Sequence, residues 1–235
     1  MMMCFALSLQ VLPPLFEQMM REVSFTNSQA GLLMGAYAIP GIFLSFVVAY
    51  MANRFDIKKL IIGALLLMII GLISFSFAGS FSLFVAFRLL AGIGATFLVV
   101  LAPLLVTMFF DQKRMGIAMG VFNMAVPLGT VIAANFFGVL GQILGWRTML
   151  QGVAGFLGVV LLIVILALSM PKNQGGNTPD SSGNEPRPKF RGSMSLWFLA
   201  AIWALANAQL LAYVTFGPQF YQSIGLGERA GFLTS

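Results

Sequence analysis

Residues 60–79 read LIIGALLLMIIGLISFSFAG, with no charged side chain among them. At 1.5 Å per residue, an α-helix of that length covers about 30 Å, the hydrocarbon thickness of a bilayer. Such a helix satisfies its backbone N–H and C=O groups internally, as lipid requires of any spanning segment. The same pattern recurs along the chain. Of its 235 residues, 59% are hydrophobic and 9% charged, and the mean hydropathy is +0.95. Soluble domains carry roughly 25% charged residues, so too few charges are present here to cover a water-facing surface. The expected fold is therefore all-α: a polytopic membrane bundle lying in lipid.

Downstream of residues 60–79, Ser80 leaves room only for a tight turn, and Phe81 to Phe110 forms a fourth span. Asp111-Gln112-Lys113-Arg114 closes it. The uncharged run Met115 to Trp146 exceeds one span and is expected to leave the membrane between Gly141 and Trp146; Thr148 to Met170 is the sixth span. Upstream, Asn53 to Lys59 is a basic turn, Gln29 to Ala52 is the second span, and Arg21 to Asn27 is a polar loop. Thr26 and Gln29 have capping-box spacing at the start of that second helix. Met1 to Met20 is the first span, with Glu17 near its end. Residues 1–171 are thus expected to form a six-helix bundle.

Composition then changes abruptly. Residues 172–193 contain Gly175-Gly176, Pro179, Ser181-Ser182-Gly183, Pro186 and Pro188, the make-up of a flexible linker. Residues 194–235 resume the apolar pattern with a seventh span from about Met194 to Gln219. Gly231 to Ser235 is expected to begin an eighth helix that the chain cuts off. On one side of the membrane lie Arg54, Lys58, Lys59, Lys113, Arg114, Lys172, Arg187, Lys189 and Arg191; on the other lie Arg21, Arg147 and Arg229. The positive-inside rule places the richer side, with the N-terminus and the linker, in the cytoplasm of a plasma-membrane protein. This distribution also accounts for the net charge of +6 without nucleic acid as a partner.

The loop Ala49-Tyr50-Met51-Ala52-Asn53-Arg54-Phe55-Asp56-Ile57-Lys58-Lys59 resembles the G-x-x-x-D-R-x-G-R-R/K signature of the major facilitator superfamily. Arg54 and Lys58 match it, whereas Ala49, Asn53, Asp56 and Ile57 depart from it. Arg88-Leu89-Leu90-Ala91-Gly92-Ile93-Gly94-Ala95 resembles the family's R-x-x-Q-G-x-G-A motif without its Gln, and Gly145-Trp146-Arg147 is typical of the family. The resemblance covers essentially the whole chain. It implies a secondary transporter that moves a small solute by alternating access, an organic or inorganic anion being one expected class. It also implies co-transport of a proton as one means of coupling, twelve helices in the whole carrier, and hence a C-terminal helical half missing from this chain. No phosphate-binding loop for ATP is present.

Arg88 lies about 10 Å into the fourth helix, where insertion of a charge costs about 2.5–3.5 kcal/mol and a partner is expected. Glu17 is the expected partner. The pair is either a substrate anchor with proton coupling or a fixed ion pair holding two helices together. Gln10, Asn207, Gln209 and Tyr213 are polar groups in apolar helices, each either lining a cavity or bonding a neighbouring helix. Arg54 and Lys58 share a layer with Asp111 and either form a gating ion pair with it or are ordinary positive-inside charges. Gly92, Gly94 and Gly120, with Gly31, Gly35 and Gly116, are expected to bring helices close together, and Pro127 to bend the fifth helix. Trp146, Trp197 and Tyr221 are expected to be interfacial anchors. A chain with no His, a single Cys4 and no paired intramembrane carboxylates offers no metal centre, no cofactor site and no catalytic constellation. The alternatives to a transporter are a fragment that acts only with a partner, and, less favoured, a membrane-embedded enzyme.

Overall fold

The computed structural model describes residues 1–168 and 194–225. Two compact units are present, Met1–Gly176 and Asn177–Ser235. In the first, α1 (Met2–Gln10) and α2 (Phe16–Glu22) flank a 3-10 turn at Pro13–Leu15, followed by α3 (Asn27–Ala52), α4 (Ile57–Phe77) and α5 (Phe81–Phe109). Next, α6 (Gln112–Ile132) runs through a π turn at Ala133–Phe137 into α7 (Gly138–Leu144), and α8 (Trp146–Ala167) follows. The described part of the second unit is dominated by α9 (Met194–Ser223). Among the described residues, five segments are long and apolar enough to cross a membrane: α3, α4, α5, the α6–α7 run and α8. The expected linker at 172–193 and the expected helix start at Gly231 to Ser235 lie outside the described residues.

Local sequence explains the boundaries. Gln29 N–H donates to Thr26 Oγ1 at 3.3 Å and Thr26 N–H donates to Gln29 Oε1 at 2.8 Å, so the expected capping box starts α3. Asp56 caps α4 by accepting from Lys58 N–H at 2.8 Å. Gly145, at φ +83°, turns α7 into α8 in a conformation that side chains with a Cβ rarely adopt. The first span departs from expectation: Met1 to Met20 is two short helices, not one. Pro13 and Pro14 carry no N–H to donate backwards, which interrupts the α-helical ladder. Pro127 lies inside α6 without ending it, and the helix widens only further on, at the π turn.

Within the first unit α5 is the axis, with α3 and α4 packed along it, α8 against α4, and α1 against α6. Gly92 and Gly94 make these approaches possible. A Cβ at Gly92 would fall within 3.0 Å of the Tyr37 carbonyl oxygen, and one at Gly94 within 3.0 Å of that of Ala64. Lipid gives helices little hydrophobic reason to associate, so close backbone approach supplies the cohesion. Gly120 corrects the sequence reading: like Gly35 and Gly116, it has nothing among the described residues within 4 Å of an added Cβ. These glycines lie on stretches of α3 and α6 that also carry exposed apolar side chains such as Phe43, Ile117 and Val121. An aromatic cluster closes one end of the unit, where Phe75 stacks on Phe84 at 4.5 Å with Trp146 edge-on to both. Trp146 is 2% exposed and belongs to this core, not to an interfacial belt.

Candidate functional site

Arg88 projects from the second turn of α5 into the junction of three helices and is 1% exposed. Its Nη1 donates to the Ser8 carbonyl oxygen at 2.7 Å and its Nη2 to that of Leu9 at 2.8 Å. The guanidinium lies over the Tyr37 ring at 4.4 Å, with Met34 Sδ at 3.9 Å from Nη2. The charge is therefore held by backbone dipoles on α1 and an aromatic face on α3, contacts that bind a desolvated guanidinium well. The buried Ser8 Oγ, Gln10 Oε1, Tyr37 hydroxyl and Arg88 Nε have no hydrogen-bond partner among the described residues. Gln10 thus stands at the end of α1 with a buried acceptor.

Glu17 is not the partner of Arg88. It accepts from Arg21 Nη2 at 2.6 Å on α2, one turn away, and both side chains are exposed. The proline break separates Glu17 from the last turn of α1, and Arg21, on the same helix face, takes its charge. The next ion pair along the chain joins Glu22, at the end of α2, to Arg147, at the start of α8. The Arg147 guanidinium holds the Glu22 carboxyl below the usual carboxylate range. Arg147 also lies over the Trp146 ring at 4.2 Å. These two are the ion pairs of the described residues.

The expected gate of Arg54, Lys58 and Asp111 is accordingly not formed. Arg54 lies over Tyr50, its own helical neighbour one turn back, at 5.0 Å. Lys58 Nζ donates to the Ile165 carbonyl oxygen at 2.9 Å, in the last turn of α8, where backbone acceptors lack helical partners. Asp111 precedes α6 and is exposed. In the second unit, Asn207, Gln209 and Tyr213 are exposed along α9.

Sequence reading singled out Arg88 and missed the groups that hold it. Tyr37 and Met34 look like ordinary apolar-helix residues, and the acceptors are backbone atoms with no side-chain signature. The legible signal was Pro13-Pro14, two missing donors inside a span.

An all-helical bundle with several helices long and apolar enough to cross a membrane, joined by short connections, defines a multi-pass membrane protein. The profile described as Major Facilitator Superfamily matches residues 1–235. The chain belongs to that superfamily. It is 28% identical over 173 residues to a protein of Arabidopsis thaliana named "Probable sphingolipid transporter spinster homolog 1", covering 70% of this chain and 33% of that relative. It is 23% identical over 215 residues to a "Probable nitrate/nitrite transporter" of Mycobacterium tuberculosis, covering 90% of this chain and 53% of that relative. Among solved structures, a bacterial homologue of the human lysosomal transporter Spinster, inward-facing and unoccupied, matches with a TM-score of 0.75 at 18% identity. That match covers 99% of this chain and 57% of the other. The chain therefore spans between a third and about half the length of these two curated relatives.

Proposed function

We propose that this chain is the substrate-handling first bundle, with the opening helix of the second, of a secondary transporter that moves a small solute by alternating access. The observation that carries the reading is the superfamily match along residues 1–235, placed on a bundle whose described residues keep that order of helices. Alternating access is rocking of one bundle against another around a site near the bilayer midplane. A single bundle supplies one wall, so transport belongs to its assembly with a second helical half.

An organic or inorganic anion is the solute class to test first. The similarity to a nitrate/nitrite carrier supports it. Gln10, Asn207, Gln209 and Tyr213 are the polar groups proposed to meet the solute, and Glu17 is the carboxylate at which a coupled proton is proposed to bind. The loops bearing Arg54, Lys58, Lys113 and Arg114 face the cytoplasm in this reading, as does the N-terminus, and the membrane is the plasma membrane. The test is exchange in proteoliposomes loaded with nitrate, nitrite or a small sulfonate, using the chain within a complete carrier and with or without a pH gradient. Saturable exchange of at least one anion is expected. Exchange no faster than in protein-free liposomes for every anion would overturn the anion class, and the same failure with neutral and lipid solutes would overturn transport itself.

A further inference from the structure

The contacts of Arg88 point to a role distinct from gripping a solute. The α-helical ladder of the first span stops at Gln10, and the last-turn carbonyls of any helix lack i+4 donors. Usually the chain that follows, a capping residue or water supplies them. Here residues 13 and 14 are both proline, so the N–H that would reach back to the Leu9 carbonyl, and the next one to Gln10, do not exist. Unsatisfied carbonyls at membrane depth cost several kcal/mol each, and broken helices persist there only where other groups satisfy them. Arg88 does so for Leu9, with Nη2 at 2.8 Å, and the other arm of the same planar fork reaches the adjacent Ser8 carbonyl at 2.7 Å. Two adjacent carbonyls match two adjacent Nη donors, which the single point charge of a lysine cannot reproduce.

We infer that Arg88 is a positioning residue: it is the surrogate donor for the Leu9 carbonyl that Pro13 leaves without one, it anchors the adjacent Ser8 carbonyl, and it fixes the angle at which α1 meets α2. Arg88 thereby sets where Gln10, at the end of α1, stands. Both Nη groups are committed to the protein's own backbone, so the solute does not bind through them. The negative end of the α1 helix dipole lies at these same carbonyls and adds to the hold on the guanidinium. Such a break resembles those where unwound carbonyls coordinate a sodium ion in other transporters. In this bundle the cation is tethered to α5.

The test is second-site suppression in the complete carrier, read by thermal unfolding in detergent and by transport in liposomes. Arg88→Gln is expected to lower Tm by about 5–10 °C, because two hydrogen bonds from a charged donor are lost. Arg88→Lys is expected to fall between it and the native protein. Adding Pro13→Ala and Pro14→Ala restores the backbone donor to the Leu9 carbonyl, one of the two that Arg88 serves, and is expected to recover about half of the lost Tm, together with transport at an unchanged KM. An equal Tm loss from Arg88→Gln in the proline and alanine backgrounds would overturn the assignment. So would that recovery of Tm with KM still raised more than tenfold, since that result would place the guanidinium on the solute. Where Arg88→Gln does not fold, Arg88→Lys carries the same comparison. The Tm arm needs no transported solute, so failure of the transporter reading leaves it decisive.

Discussion

Replacing Gly92 with alanine puts the bundle's cohesion and the setting of Arg88 to one test. The added Cβ would lie within 3.0 Å of the Tyr37 carbonyl oxygen, and the listening partner is backbone, which cannot rotate away as a side chain would. Ordinary contact begins near 3.4 Å, so α3 and α5 must separate locally by at least about 0.4 Å, and overpacking of this kind costs about 1–3 kcal/mol. Alanine returns up to about 1 kcal/mol of helix propensity. The net expectation is a loss of about 0–2 kcal/mol, made worse because the displaced residue is Tyr37, whose ring covers the Arg88 guanidinium at 4.4 Å. Gly120→Ala is the matched control. With nothing among the described residues within 4 Å, it keeps the propensity gain without the clash. The two variants should therefore differ by about 1–3 kcal/mol, or roughly 2–12 °C in Tm at about 2–4 °C per kcal/mol. The assay is thermal unfolding of each purified variant in one detergent, followed by tryptophan fluorescence. A Gly92→Ala protein as stable as Gly120→Ala would refute the argument that close approach at Gly92 holds α3 to α5.

The Glu22–Arg147 pair joins α2 to α8, and its carboxyl is held below the usual range; a group so depressed stabilises the fold above its unfolded value near 4.5 and loses that contribution as pH falls through the lower folded value. Glu22→Gln should therefore lower Tm at pH 7 by an amount set by at most about 1 kcal/mol, since both side chains are about half exposed, and the difference from the native protein should shrink as pH falls below 4.5. A difference that did not shrink on acidification would show that the charge is not its cause. Lys58→Met removes the donor that reaches the last turn of α8 and should raise hydrogen–deuterium exchange at residues near Ile165 while leaving the middle of α8 unchanged. Uniform exchange along α8 in both proteins would sink that contact's role.

The chain's apolar runs were enough to read spanning helices, because a lipid solvent leaves so few ways to satisfy a backbone. Thr26 and Gln29 announced the start of α3, and the cap formed as written. The small residues were read less well: Gly92, Gly94 and Gly120 look alike in sequence, yet an added Cβ meets a backbone oxygen at the first two and open space at the third. Spacing reports that a helix face is smooth, and only three-dimensional packing decides whether another helix occupies it. Charge pairing was read least well. Glu17 and Arg88 were matched because each was a lone charge in an apolar run, but Arg21 lay one turn from Glu17 and the backbone stood nearer to Arg88. Asp111, Arg54 and Lys58 failed for the same reason, as a basic side chain at the end of a bundle can reach a helix-terminal carbonyl or an aromatic face more readily than a distant carboxylate.

These pairings also divide the bundle by what proton activity can alter. Arginine does not give up its proton in proteins, so a guanidinium whose two Nη groups are committed to the Ser8 and Leu9 carbonyls cannot act as a proton relay. The contact at the centre of the first unit is therefore indifferent to pH across the physiological range. The ion-paired carboxylates of the described residues lie instead on α2, beyond the proline break, where Glu17 and Glu22 each hold an exposed arginine. A break that leaves α1 fixed to α5 by Arg88, while α2 carries the ion pairs, separates the part of the first span held by buried backbone contacts from the part held by exposed charges. The two prolines are thus more than a tolerated defect in a spanning helix: they set the boundary between those parts, and Arg88 is what the boundary costs in buried charge.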